Sequence, residues 1–289
     1  MAVAIALQGL EGNIDHAVVD GFGDEWSRFD QSALSHAEWR ELAEMYFELM
    51  PWSELPANAS GFDLGCGSGR WARYAAARVG TLHCIDASDA ALAVAQRTLS
   101  GVSNVAFHHA SVDAIPLADA SQDFGYSLGV LHHVPDTLEG MRQAVAKLKP
   151  GAPFLVYLYY AFDNRPAWFR LVWGASNAVR KVVSRLPHSA RYGVSQAIAG
   201  AVYFPLARTA RALESLGMKV DNLPLAAYRK RSFYVMRTDA LDRFGTQLEQ
   251  RFTKEEIRTM MQDAGLEDIA FSDRIFWCAV GRKPAAGVR

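Results

Sequence analysis

Three places in the chain hold residues suited to chemistry. The first is a glycine turn, Gly65-x-Gly67-x-Gly69, entered through the apolar run Gly61-Phe-Asp-Leu and left through Arg70-Trp71. Glycine permits positive φ and lets backbone approach a ligand closely, and a helix starting there presents free N–H groups. Asp63 stands two residues before the first glycine, and Asp86 ends a second apolar run, Thr81-Leu-His-Cys-Ile-Asp86. An acid at a second strand end, about 20 residues downstream, is placed to accept hydrogen bonds from ribose hydroxyls, so the pattern predicts an adenosine-containing ligand. The second place is His132-His133, just beyond the apolar run Phe124–Leu128. Histidine titrates near neutrality, so one ring serves as a base, or the pair orients its loop. The third is Tyr157, Tyr159 and Tyr160, which offer hydroxyls or ring faces, or pack in the core. Alternation along a strand sends Tyr157 and Tyr159 to one side and Tyr160 to the other.

These residues need a scaffold, and the apolar periodicity supplies one. Helices are predicted over 69–79, 90–99 and 136–149, with short buried strands at Val105–His109, Phe124–Leu128 and 154–159. Asp136-Thr-Leu-Glu139 and Thr253-Lys-Glu-Glu256 both have capping-box spacing, and Gly265 suits a helix C-terminus. Strands and helices alternating in this way imply a parallel sheet covered on both faces. The alternation stops after Tyr160: residues 161–251 look helical, aromatic and basic, and strands return at 269–271 and 275–280.

Asp63-Leu-Gly-Cys-Gly-Ser-Gly69 resembles the first motif of the class I S-adenosylmethionine (SAM)-dependent methyltransferases. Its spacing departs from the dinucleotide fingerprint G-x-G-x-x-G, because position 70 is Arg. The resemblance continues through Asp86-Ala-Ser88, Ala114-Ile-Pro116-Leu and the segment from Asp123 to Asp136, which is similar to the quinone-biosynthesis-like members. It implies an α/β, Rossmann-like sheet, mostly parallel with an antiparallel last strand, and a helical insertion after strand five. It also implies SAM as cofactor and S-adenosylhomocysteine (SAH) as product. Gly65, Gly67 and Gly69 would shape the cofactor turn, Ser68 would add a hydroxyl, and Asp86 would hold the ribose beside Ala87 and Ser88. Asp63 would organise the loop or touch the amino group, and Gly129, Val130 and Leu131 would approach the methionine part. At the adenine end Ser111 and Val112 stand where the family pattern has Asp-Ala, with Asp113 two residues on as the alternative. Arg28, in the aromatic run Gly21–Phe29, would pair with the methionine carboxylate. Catalytic candidates are His132, His133, Tyr157 and Tyr159; no metal is implied.

The expected organisation is a helical segment over 1–59, a SAM-binding core over 60–160 and 252–283, and an acceptor-binding lid over 161–251. With half its 289 residues hydrophobic, the chain can bury a substantial core, which excludes disordered and collagen-like classes. Cys66, Cys84 and Cys278 lack zinc or disulfide spacing, so a cytoplasmic setting is the simplest. The apolar start, residues 1–7, is too short for a signal peptide and reads as local packing or a ragged start. Residues 165–237 hold 13 Lys/Arg against two acids, a charge of +11 within a chain whose net charge is −1. That contrast predicts either an anionic partner or solvated helix faces. The acceptor expected is a small or lipid-linked, anionic metabolite. The basic, aromatic stretch 168–185 could also rest on a membrane surface, or else pack its aromatics inward with cations in water. A nucleic-acid acceptor is the rival, but no Asn-Pro-Pro-Tyr or Cys-based base-methylation motif occurs. A noncatalytic SAM-binding scaffold is the alternative of another class.

Overall fold

The strands register as one seven-stranded sheet in the order β3-β2-β1-β4-β5-β7-β6. The structure is a computed structural model describing residues 12–163, 165–274 and 277–285; the apolar start at 1–7 lies outside the described residues. The strands are β1 (Ser60–Leu64), β2 (Thr81–Asp86), β3 (Val105–His109), β4 (Phe124–Leu128), β5 (Pro153–Tyr157), β6 (Glu267–Phe271) and β7 (Cys278–Arg282). The first five run parallel, and β7 pairs antiparallel with both β5 and β6. The closing strand predicted at 275–280 starts later, and residues 275–276 lie outside the described residues.

Central register depends on glycine. Gly61 faces Phe124, and Phe62 faces Gly125, so each ring lies over its neighbour's bare backbone. A Cβ on Gly61 would come within 2.2 Å of the Phe124 ring, and one on Gly125 within 2.3 Å of Phe62. Close packing of this kind leaves no room for a methyl group.

The helices cover both faces: α1 (His16–Arg28), α2 (His36–Tyr46), α3 (Ala72–Ala76), α4 (Asp89–Thr98), α5 (Thr137–Lys147) and α10 (Lys254–Asp263). The helix predicted over 69–79 shortens to α3, because Gly69 at φ +76° is still in the turn. At α10 Thr253 and Glu256 cap each other reciprocally, whereas at α5 Asp136 caps Glu139 N–H but Glu139 bonds Gln143 instead.

The insertion consists of α6 (Ala167–Val183), α7 (His188–Ile198), α8 (Phe204–Ser215) and α9 (Phe233–Gly245), with a π-helical turn at Ala199–Tyr203. Val183, Ala199, Tyr203, Ala207, Met236, Ala240 and Phe244 form its own apolar core. Many of its cations are bound internally. Arg180 donates to the Thr246 and Gln247 carbonyls at 2.7 and 3.0 Å, and Arg191 to Gly245 at 2.9 Å, satisfying free carbonyls at the end of α9. Arg208 bonds the carbonyls of Arg229 and Arg231, while Arg229 pairs with Glu214 and Asp221. The expectation that 168–185 packs inward holds in part. Phe169 and Trp173 pack on Phe162, but Leu171 and Val182 stay 76% and 65% exposed. Among the described residues no helix is long and apolar enough to cross a membrane.

Candidate active site

Strand order reverses between β1 and β4, and ligands of open α/β sheets bind at the carboxyl ends of strands flanking such a point. A cleft opens there. Its floor is the glycine turn with the ends of β2 and β4, and one wall is α1, through Val18, Phe22 and Trp26. Asp15 starts that wall by accepting the N–H groups of Ala17 and Val18.

The turn is sterically committed. Gly65 and Gly67 take φ of +80° and +52°; a Cβ at Gly65 would meet Val130 at 2.4 Å and one at Gly67 the Trp26 indole at 2.8 Å. Asp86 ties the turn to β2, accepting Gly67 N–H at 2.8 Å through one oxygen and Ser88 N–H at 2.9 Å through the other. A carboxylate oxygen can accept more than one hydrogen bond, and Asp86 lines the cleft. Burial pushes the Asp86 carboxyl above its usual range, and these two amides oppose the shift.

Gly65, Gly67, Ser68, Asp86, Ala87, Ser111, Val112, Gly129 and His133 all line the cleft. The others stand elsewhere. Gly69 packs its backbone on α4, where a Cβ would lie 3.2 Å from Ala95. Asp63 is buried under the turn, its carboxyl pushed up to about 8 by burial, with Tyr126 opposing and Asp86 adding to the shift. Asp113 does not line the cleft but accepts from the Ser111 hydroxyl and from Asn13 N–H. Arg28, expected at the methionine carboxylate, is instead paired with Asp24 at 2.9 Å and lies over Tyr192. Arg70 lines the cleft in its place, stacked on Trp26 and Trp71. The sequence offered a signal for this exchange, since Asp24 and Arg28 have the i,i+4 spacing of a helical ion pair.

At the far end of the cleft the two histidines differ. His132 is fully buried, its ring 4.0 Å from His133 and 3.9 Å from Tyr159, and neither ring nitrogen has a partner. Burial holds its pKa well down, and it does not line the cleft. His133 Nδ1 donates to the Leu248 carbonyl at 2.7 Å, which leaves Nε2 as the lone-pair nitrogen. Nε2 has no hydrogen-bond partner and stands 4.0 Å from Asp242. Burial lowers the His133 pKa, while Asp242 and the Leu248 carbonyl oppose it, so the ring is neutral at neutral pH. Tyr159 donates to Asp242, and Tyr157 packs on Tyr46 at 5.2 Å; neither lines the cleft. Tyr160 turns to the other side, against Trp277, as alternation requires. Sequence reading missed Asp242 and the Leu248 carbonyl, which reach His133 only because the insertion folds back over β5.

Fold and cleft together define a Rossmann-like protein built to hold an adenosine-containing cofactor at the switch point of its sheet. A family model described as "Methyltransferase domain" matches residues 62–156. The chain is 30% identical over 188 residues to the ubiquinone biosynthesis O-methyltransferase of Pseudomonas fluorescens (strain Pf0-1), across 61% of this chain and 75% of that protein. It is 27% identical over 124 residues to the demethylmenaquinone methyltransferase of Bacillus licheniformis, across 42% and 50% of the two chains. Among solved structures, an O-methyltransferase family protein from Burkholderia thailandensis shares the fold with a TM-score of 0.53 at 15% identity, covering 93% of this chain and 60% of that one. The chain belongs to the class I SAM-dependent methyltransferases, and its cofactor is S-adenosylmethionine.

Proposed function

We propose that this methyltransferase acts on a hydroxyl oxygen of a small acceptor and that His133 removes the proton. The carrying observation is the free Nε2 of a neutral, cleft-lining imidazole whose tautomer is fixed by the Leu248 carbonyl. The names of the O-methyltransferase relatives agree with an oxygen acceptor.

The cleft fits the cofactor: Gly65 and Gly67 leave backbone space, Asp86 offers two lone pairs to ribose hydroxyls, and Arg70 meets a carboxylate beside Trp26. Ser111 and Val112 flank the adenine end. Gly129 and the cleft wall continue toward His133, and Asp63 braces the turn from below. When bound, SAM supplies an electrophilic methyl group on a sulfonium that leaves as a neutral thioether. His133 Nε2 accepts the hydroxyl proton, so the oxygen lone pair is free to form the new C–O bond. Phe22, 5.0 Å from His133, limits water at that point. Residues 161–251 act as the acceptor-side lid over the core of 60–160 and 252–283, with α1 closing over the cofactor.

The anionic acceptor expected from composition loses part of its support, because Arg180, Arg191 and Arg229 of the insertion hold carbonyls and acids of the chain itself. The outward stripe Trp168, Leu171, Val172, Val179 and Val182 on α6 supports peripheral contact with a lipid surface; co-sedimentation with anionic vesicles tests this, and Leu171→Lys with Val182→Lys should abolish it.

For the base, His133→Ala should lower kcat by about 10²–10⁴ while SAH affinity persists. Because burial depresses the wild-type pKa, its rate should rise with pH through a midpoint below the ordinary histidine value, and the variant should lose that limb. An unchanged pH profile in His133→Ala would refute the role.

A further inference from the structure

Residues 246–251 form neither helix nor strand, yet they bond to the loop that carries the candidate base. The Leu248 carbonyl accepts from His133 Nδ1 at 2.7 Å. Gln250 donates its backbone N–H to the His132 carbonyl at 3.0 Å and its side chain to the Val134 carbonyl at 2.7 Å. A segment with no helical or strand ladder of its own is placed by the side chains that hold it. Glu249, between those two residues, is the anchor. Its side chain is only 1% exposed and accepts Arg243 Nη1 at 2.8 and 3.0 Å and Arg251 Nε at 2.8 Å.

Both arginines are fixed in turn by the insertion and by β5's exit. Arg243 belongs to α9, donates to Ser176 of α6 at 3.3 Å and lies over the Trp173 ring at 5.1 Å. Arg251 donates to the Tyr160 carbonyl at 3.3 Å and lies over the Tyr159 ring at 4.9 Å. Burial pushes the Glu249 carboxyl up, but Arg251, Arg243 and Arg180 outweigh it and hold the group below its ordinary range. A buried carboxylate gripped by two guanidinium groups is a stiff joint, because its bonds are charge-assisted and loss of one partner strands the other.

Stiffness matters because two acceptors compete for the single ring proton of a neutral His133. The Leu248 carbonyl takes it from Nδ1. On the other side Asp242 receives the Tyr159 hydroxyl on one oxygen, and its other oxygen is buried without a hydrogen-bond partner among the described residues, 4.0 Å from Nε2. Were Leu248 to move away, the proton would settle on Nε2, turned toward Asp242, and Nε2 would hold no lone pair. We propose that Glu249 is a positioning residue for the reaction: clamped by Arg243 and Arg251, it keeps the Leu248 carbonyl on His133 Nδ1 and so preserves the Nε2 lone pair that takes the acceptor's proton. Docking of α6 and α9 and readiness of the base are coupled through this one side chain. This rests on the reading of His133 as the base.

The test reads the His133 ring by nitrogen NMR at neutral pH in the SAH-loaded full chain, labelled in its histidine rings, with His133→Ala assigning the signal. The wild type should carry the proton on Nδ1. Glu249→Gln keeps the shape but loses the charge and sets an NH₂ against a guanidinium, so at least about a third of the molecules should carry the proton on Nε2. SAH affinity should stay within about threefold, since Glu249 does not line the cleft. Adding Asp242→Asn should return the proton to Nδ1, because an NH₂ that donates to Nε2 replaces the competing acceptor; general loosening of the fold would not be reversed in this way. Arg243→Lys keeps the charge but not the planar fork, should move the proton in the same direction, and decides the matter if Glu249→Gln does not fold. A wild-type tautomer in the folded variant overturns the proposal, and so does failure of Asp242→Asn to restore Nδ1–H. Failure of the His133 reading appears separately, as an unchanged pH profile in His133→Ala with these tautomer shifts intact.

Discussion

Asp86→Asn tests the cofactor site at its most connected atom pair. In the wild type each oxygen accepts a backbone amide, from Gly67 at 2.8 Å and Ser88 at 2.9 Å, and has capacity left for the ribose. The amide side chain keeps one acceptor and turns its NH₂ toward either Gly67 N–H or Ser88 N–H, donor against donor. Losing a hydrogen bond to a charged acceptor costs about 1.5–3 kcal/mol, and a lost ribose bond about 1 kcal/mol more. The sum, about 2.5–4 kcal/mol, corresponds to roughly 70- to 900-fold in SAH affinity. Stability should respond less, because the substitution also removes a carboxylate whose ionisation burial disfavours. Titration calorimetry measures the first quantity and urea unfolding of the free protein the second. An SAH affinity within about threefold of wild type would refute the reasoning, since one lost charged bond alone exceeds that.

Two further substitutions probe the same cleft. Arg70→Met keeps an apolar chain between Trp26 and Trp71 but removes the charge, so SAH should bind about 10- to 100-fold more weakly while adenosine, which has no carboxylate, is unaffected. Arg28→Met is the control and should leave SAH binding alone, since Arg28 is held by Asp24; a larger loss there than at Arg70 would reverse the assignment. Asp63 makes a pH prediction. Its folded-state pKa, about 8, lies above the ordinary 3.8, so its contribution is complete below the ordinary value and is lost as pH rises through 8. Asp63→Asn should therefore gain on wild type by about 3 kcal/mol between about pH 5.5 and about pH 8.5 in urea unfolding. A difference that does not change with pH would sink this account.

The donor side of the molecule is legible along the chain because its parts are local. The glycine turn, Asp86 and the strand ends are separated by single secondary-structure elements, so strand period and turn chemistry place them together. Packing adds what that local reading does not contain. Gly69 fits the motif, yet its bare Cα serves α4 rather than the ligand. Arg28 sits in an aromatic run beside the cleft, yet Asp24 one turn away captures it.

The acceptor side is different in kind. His133 is prepared by the Leu248 carbonyl and faced by Asp242, both more than a hundred residues away in sequence, and their approach depends on how α9 docks against α1 and β5. No periodicity encodes that docking. Composition offered either an anionic partner or solvated helix faces for the thirteen cations over 165–237, whereas Arg180 and Arg191 fold inward to close the end of α9. With Thr246, Gln247 and Gly245 held by those two arginines, Asp242 of α9 stands 4.0 Å from His133 Nε2. A segment counted as basic thereby sets an acid beside the candidate base, so charge summed along a chain does not fix the charge at the site it builds.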